Sequence, residues 1–169
     1  MRSSSNWASG TEAPAPDPAS LQGDDIYAYP ITIHAEADHY WSSCPDIPEA
    51  HSAGDTVEEL LSAAVDGLCL ALTIYVDQGR RIPTASQPTS GQHMVHLPLQ
   101  AAAKVTLWNA LQARGMRVAD LARTLGVPHP VATRLVDFEH NSKIEQLESA
   151  LATLGQRLVV SAVAAWCAE

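Results

Sequence analysis

The stretch RVADLARTLGVPHPVATRL, Arg117 to Leu135, reads as two short helices separated by a tight turn. Leu121 and Leu125 fall on one face of the first helix. Ala122 is small where two helices must cross closely. Gly126 can take a positive φ at the turn without steric cost. Val127 plugs the corner, and Ala132 and Leu135 anchor the second helix. That leaves His129, Thr133, Arg134 and Asp137 on its other sides. The spacing is that of a helix-turn-helix, whose second helix enters the major groove of DNA. A plain helical hairpin in a bundle shares the same pattern and is the competing reading.

A DNA reader ought to be basic, because most DNA affinity comes from neutralised phosphates. This chain of 169 residues instead has a formal net charge of −9 at pH 7. The charge is unevenly spread. Residues 1–98 hold 3 Lys+Arg against 13 Asp+Glu, whereas residues 99–169 hold 7 against 6. The acidity belongs to the front, and the candidate reader is near neutral. Two modules with different partners follow from that asymmetry.

Working outward from the reader, the back part is helical on both sides. AAAKVTLWNALQARG places Val105, Trp108 and Leu111 on one face, and NSKIEQLESALATLG places Ile144, Leu147, Leu151 and Leu154 inward before Gly155. QRLVVSAV reads as a possible closing strand. The front part reads differently. YPITIHA, Tyr29 to Ala35, alternates and predicts a half-buried strand. YWSSC, Tyr40 to Cys44, predicts the other arm of a hairpin, and HSAG a short third strand. PDIPEA cannot be regular, because its prolines remove ladder donors. GDTVEELLSAAVDGLCLALTIYVDQG predicts a helix capped by Thr56 with Glu59 or Asp55 with Glu58, with Val57, Leu61, Ala64, Leu68 and Leu72 on the packed face. Gly67 inside it costs about 1 kcal/mol relative to Ala. RRIPTASQPTSGQ is a loop, and HMVHLPL, His93 to Leu99, a fourth strand. The fold class is therefore α+β: a small antiparallel sheet with a packed helix, then a helical unit.

The 46 % hydrophobic content suffices for a packed core. Residues 1–25, rich in Ser, Ala, Pro and Gly, offer little to bury and are expected to be a disordered extension. Three cysteines without paired spacing argue against a disulfide framework and for a reducing compartment. No secretory signal opens the chain, and the apolar stretch LVVSAVAAW is too short to span a bilayer. A cytoplasmic protein without a membrane partner is expected.

Catalytic chemistry finds little support. His34, His39, Cys44 and His51 fall close together and His93 sits three before His96, but neither CxxC nor HExxH occurs, and scattered polar strand residues are the plainer reading. Asp46 and Glu49 could pair, but a proline-bounded loop more often carries solvated carboxylates. Cys44 has no base beside it in sequence. The expectation is no enzyme, no catalytic residue, no metal and no cofactor.

At this point the chain resembles a family. YPITIHAEADHYWSSCPDIPEAHSAGDTVEELLSAAVDGL is similar to the front domain of HicB antitoxins, in which a Y-P hairpin, P-D-[IL]-P and a G-[DE]-T-x-x-E helix follow in that order. IPTAS, HMVHLPLQAAAKVTLWNAL and ADLARTLGVPHPVATRLVDFEHNSKIEQLESALATLG continue the match, so that it covers roughly 29–161. The resemblance implies a partial RNase H-like front domain that blocks a HicA-type mRNA-cleaving toxin. It also implies a back domain that forms a homodimer or higher homo-oligomer and represses its own operon by binding operator DNA. RNase H chemistry needs carboxylates to hold Mg²⁺, and YPITIHA carries none. An acidic front suits a basic RNA-binding toxin through complementary fields.

The chain departs from the pattern in places. RVAD lacks the Gln that braces a phosphate at the start of the motif, and Pro130 removes a backbone donor at the start of the second helix. The organisation expected is an extension at 1–25, a toxin-binding domain at 26–98, a helix-turn-helix and dimerisation domain at 99–163, and a tail at 164–169. Thr133, Arg134, His129 and Arg123 are the candidate DNA contacts. Arg134 can read a guanine, grip a phosphate or pair internally with Asp137. Tyr40, Trp41, Asp46 and Glu49 are the candidate toxin contacts. The alternative is a free-standing transcriptional regulator with a ligand- or protein-sensing front domain.

Overall fold

The alternation in YPITIHA becomes β1, Ala28–Ala35, an inner strand of a four-stranded sheet. A computed structural model describes residues 28–160; the expected extension at 1–25 and tail at 164–169 lie outside them. β1 pairs on one side with β2, Tyr40–Ser43, and on the other with β4, Gln92–His96. β3, His51–Gly54, completes the order β3-β2-β1-β4, antiparallel throughout. Registers Tyr29↔Val95 and His34↔Trp41 place Tyr29, Ile31 and Val95 on one face, and His34 and Trp41 on the other.

Helix α1, Val57–Asp77, covers the first of these faces. Thr56 Oγ1 accepts the Glu59 N–H at 3.2 Å, and the Glu59 carboxylate accepts the Asp55 N–H, so the first of the two capping options is realised. The buried stripe is Leu60, Ala64, Leu68, Ala71, Leu72 and Tyr75. Val57, expected inward, is 37 % exposed, and Leu61 is only half-buried. The first turn overhangs the sheet, so burial begins at Leu60 instead. By length and composition alone α1 could cross a membrane; its apolar stripe packs on the sheet.

Two glycines allow that packing. A Cβ on Gly54 would meet the Leu60 nitrogen at 2.6 Å. A Cβ on Gly67 would fall inside contact with Ser52 Oγ and 3.0 Å from the His51 carbonyl oxygen. Gly67 therefore marks a second close approach of the helix to β3, and its propensity cost secures it.

The remaining helices are α2, Leu99–Ala113, α3, Val118–Leu125, α4, His129–Val136, and α5, Ile144–Thr153. HMVHLPL is strand only to His96; Pro98 favours an extended Leu97, and the helix starts at Leu99. Val105, Trp108 and Leu111 are buried as expected, but so are Ala101 to Lys104, Leu107 and Ala110. α2 is therefore enclosed nearly all round. One side packs on α4 and α5, and the other receives the segment after α1.

That segment, Arg80 to Gly91, has no regular structure, yet several of its backbone groups are paired with side chains. Asn109 accepts the Ile82 N–H and donates to the Ile82 carbonyl, each at 3.0 Å. Trp108 Nε1 donates to the Arg80 carbonyl at 2.7 Å, and the Tyr29 hydroxyl donates to the Pro83 carbonyl at 2.8 Å. Side chains here replace a strand partner.

The possible closing strand does not form where the structure can be described. Gln156–Val160 is irregular, and Val159 and Val160 are exposed. Residues 161–163 lie outside the described part. A strand needs a ladder partner, and among the described residues the helical part holds none; both sheet edges, β3 and β4, belong to the front.

Candidate functional site

The turn between α3 and α4 has the geometry that Gly126 makes possible. Gly126 sits at φ 66, ψ 30, the left-handed region, and its N–H and that of Val127 close the α3 C-terminus on Arg123 and Ala122 carbonyls. Leu121, Ala122, Ala132 and Leu135 are buried, so both short helices are anchored by the residues the sequence singled out. Asp120 accepts the Arg117 N–H at 2.9 Å and fixes the α3 start. That bond, with the adjoining arginines, holds its carboxyl below the usual range.

The four candidate DNA contacts are all exposed, though differently engaged. His129 and Thr133 lie one turn apart on α4, with Thr133 Oγ1 donating to the His129 carbonyl at 3.0 Å. Arg134 follows on the same exposed side. It forms no ion pair among the described residues, and Asp137 instead accepts the Glu139 N–H at 3.0 Å. The internal Arg134–Asp137 pair is thus not formed. Arg123 does carry an ion pair, to Asp120, which discounts its charge for any other partner.

The candidate toxin contacts do not form one patch. Trp41 lies on the open sheet face, stacked on His34 with centroids 3.9 Å apart, and its indole N–H donates to Glu36 at 3.1 Å. Tyr40, the next residue along the strand, points to the opposite face. Asp46 and Glu49 lie beyond the other end of β2, and both are engaged internally. Asp46 accepts from the Ser86 N–H and hydroxyl at 2.9 and 3.1 Å. Glu49 accepts from the Tyr75 hydroxyl at 2.8 Å and from Arg80 at 2.6 Å, with the guanidinium 4.1 Å from the Tyr75 ring centre. These two carboxylates clamp the Arg80–Gly91 segment.

The Arg80 and Tyr75 bonds hold the Glu49 carboxyl below its ordinary 4.5. A carboxylate so depressed adds stability above 4.5 that is lost as pH falls through its folded value. Glu49→Gln should therefore lower the urea midpoint at neutral pH, and the difference from wild type should fade below pH 4.5. A difference that persists unchanged in acid would show that packing, not charge, is involved.

Sequence reasoning missed two features. Lys104 is 1 % exposed, and its ammonium donates to the Asp137 and His140 carbonyls just beyond α4. Burial pushes its pKa below 10.5. The signal was a lysine enclosed by apolar residues in AAAKVTLW. The second is an open cleft of about 300 Å³ between α4 and the start of α5, lined in part by Arg134, His140 and Lys143. Its residues are spread over α4, HNSK and the first turn of α5, and no single periodicity marks them. Among the described residues no three His, Cys, Asp or Glu side chains converge as metal ligands.

The fold and these surfaces define a two-part α+β protein, with an acidic sheet-and-helix front and a helical back that displays polar and basic side chains on one exposed short helix. A family described as "HicB_like antitoxin of bacterial toxin-antitoxin system" matches residues 27–106. "Antitoxin HicB" of Pseudomonas fluorescens (strain Pf0-1) is 47% identical over 146 residues, 86% of this chain and 100% of that protein. "Antitoxin HicB 2" of Photorhabdus laumondii subsp. laumondii is 38% identical over 80% of this chain and 96% of its own length. "Antitoxin HicB" of Escherichia coli (strain K12) is 37% identical over 77% of this chain and 95% of its own. The chain belongs to the HicB antitoxin family, and its role is that of an antitoxin in a bacterial toxin–antitoxin system.

Proposed function

We propose that the front part, 26–98, binds and blocks a HicA-type mRNA-cleaving toxin, and that the back part, 99–163, represses the operon by presenting α4 to operator DNA as a homodimer or larger assembly. The chain itself catalyses nothing in this reading. The observation that carries it is how charge is distributed over the fold. The β1–β2 turn brings Glu36 and Asp38 to the end of the sheet where Tyr40 pairs with Gly54. Asp55, Glu58 and Glu59 begin α1 at that same end, and all five are exposed. Such a field draws in a basic RNA-binding partner and would repel nucleic acid. The back part lacks that excess, and its exposed Thr133 and Arg134 stand on a helix anchored by Ala132 and Leu135. Trp41 and Tyr40 remain the candidate toxin contacts with side chains not clamped to the Arg80–Gly91 segment, while Asp46 and Glu49 act through the loop they hold.

The test is co-expression of the full chain with the small toxin encoded beside it, joined to gel shifts on the DNA upstream. Wild type should restore growth and retard that DNA. Thr133→Ala should leave growth rescue intact and weaken upstream-DNA binding about tenfold, the equivalent of about 1.4 kcal/mol. Growth rescue that fails with soluble chain present sinks the toxin half. Unchanged DNA binding by Thr133→Ala and Arg134→Ala together sinks α4 as the reader.

A further inference from the structure

We propose that the cleft between α4 and the start of α5 seats a backbone phosphate of duplex DNA, so that Arg134 and Lys143 fix the register in which α4 meets the base edges. This rests on the DNA reading of α4 above and assigns it a second, sequence-independent contact. The cleft holds about 300 Å³ and is open to solvent. Arg134 and Lys143 supply charge, and His140, Asn141 and Gln146 supply polar groups around it. None of the lining residues is acidic, in a chain with 19 Asp+Glu against 10 Lys+Arg. Glu139 and Glu145, the carboxylates adjoining His140 and Ile144 in sequence, do not line it.

The wall is fixed from behind. Lys104 holds the Asp137 and His140 carbonyls. Gln100 donates to Asn141 Oδ1 at 2.8 Å and to the Ser142 carbonyl. Ser142, 4 % exposed, donates to the Arg134 carbonyl at 2.9 Å and ties the linker to α4. The Asp137, His140 and Ser142 carbonyls of the linker are thus held by internal bonds, and the basic side chains are left to the cleft. Such preorganisation lowers the ordering cost of binding. A guanidinium fork and an ammonium are the groups that meet phosphate oxygens. Thr133 and Arg134 are consecutive, so a base contact and a phosphate contact adjoin, as register-setting requires.

Phosphate could also arrive as a free mononucleotide, and the experiment separates the two. The full chain, wild type, Lys143→Gln and Arg134→Gln, is titrated with the upstream duplex and with a mixed-sequence duplex at several salt concentrations. AMP is titrated in parallel by NMR. Each substitution should lower the slope of log K against log salt by about one per chain, equally on both duplexes. Wild type that binds DNA with variants of unchanged slope overturns the cleft and leaves α4's role standing. An Arg134→Gln loss confined to the upstream duplex makes Arg134 a base reader and overturns its part here. Saturable AMP binding that both substitutions abolish, with duplex binding untouched, makes the cleft a small-anion site. Wild type that binds neither duplex at low salt overturns both the cleft and the DNA reading beneath it.

Discussion

Lys104→Met should destabilise the chain by about 1–3 kcal/mol, a large share of the margin of an ordinary domain. The side chain is enclosed at 1 % exposure, and methionine nearly matches its volume, so little packing is lost. What is lost is the donor to two carbonyls, Asp137 and His140, which lie just past the α4 C-terminus. The His140 carbonyl is left without that partner, at a cost of about 1–3 kcal/mol, while the Asp137 carbonyl keeps the His140 N–H at 3.2 Å. The helix dipole also favours a cation there. Against this stands the desolvation of the ammonium, which methionine avoids and which can exceed the gain from a buried charge. The two-carbonyl seat decides the sign in favour of lysine. Urea unfolding measures it, and equal or greater stability of Lys104→Met would show that desolvation wins. The pH dependence offers a second check. Burial lowers the folded pKa below 10.5, so on approach to that pH the unfolded chain binds more protons than the folded one. Wild-type stability then rises relative to the methionine variant, and the gap widens in alkali.

Lys104 also shows where the sequence was legible and where it was not. Alternation and three-to-four spacing place the other strands and the helices within a few residues of where they stand, but not the closing strand expected in QRLVVSAV, which is irregular over Gln156–Val160. Gly126 could be assigned from sequence because a turn between two apolar-faced helices requires a positive φ there. Val57 could not be excluded from the stripe, because periodicity shows that a face exists but not where the sheet beneath it ends. Lys104 sits among residues that would suit a core, and its partners are backbone carbonyls more than thirty positions away. A carbonyl leaves no trace in residue type. The same holds for the Arg80–Gly91 segment, which composition marks as a loop but whose bonds to Asn109, Trp108, Tyr29 and Asp46 come from three distant places. Of the candidate site, exposure of His129, Thr133 and Arg134 followed from helical phase. The toxin contacts follow from a hairpin and a proline-bounded loop, and exposure inferred from such positions gives no sign of the clamps on Asp46 and Glu49. The cleft beside Arg134 depends on how α4 and α5 approach, which is a property of packing alone.

Gly67→Val should cost about 3 kcal/mol or more, although glycine in a helix is usually the poorer choice. In isolation valine would gain some tenths of a kcal/mol of helix propensity over glycine. Here a Cβ meets Ser52 Oγ inside van der Waals contact and the His51 carbonyl oxygen at 3.0 Å. The serine is short and itself bonded, its hydroxyl donating to the Ala63 carbonyl at 3.1 Å. It cannot swing aside without giving up that bond. The strand backbone cannot yield without disturbing the β2–β3 ladder, where Ser52 pairs with Ser42. The helix must therefore lift, and Leu60, Ala64, Leu68 and Leu72 lift with it from the sheet. Gly67→Ala makes the smaller version of the same clash, and its cost should fall by about half when combined with Ser52→Ala, since the double variant removes the hydroxyl but not the His51 carbonyl. Thermal unfolding of the two single alanine variants and the double one measures that coupling. Additive effects would mean that Gly67 is needed for something other than its distance from β3. A Gly67→Ala variant more stable than wild type would mean that α1 can shift on the sheet without loss and that the front core is built around a mobile helix.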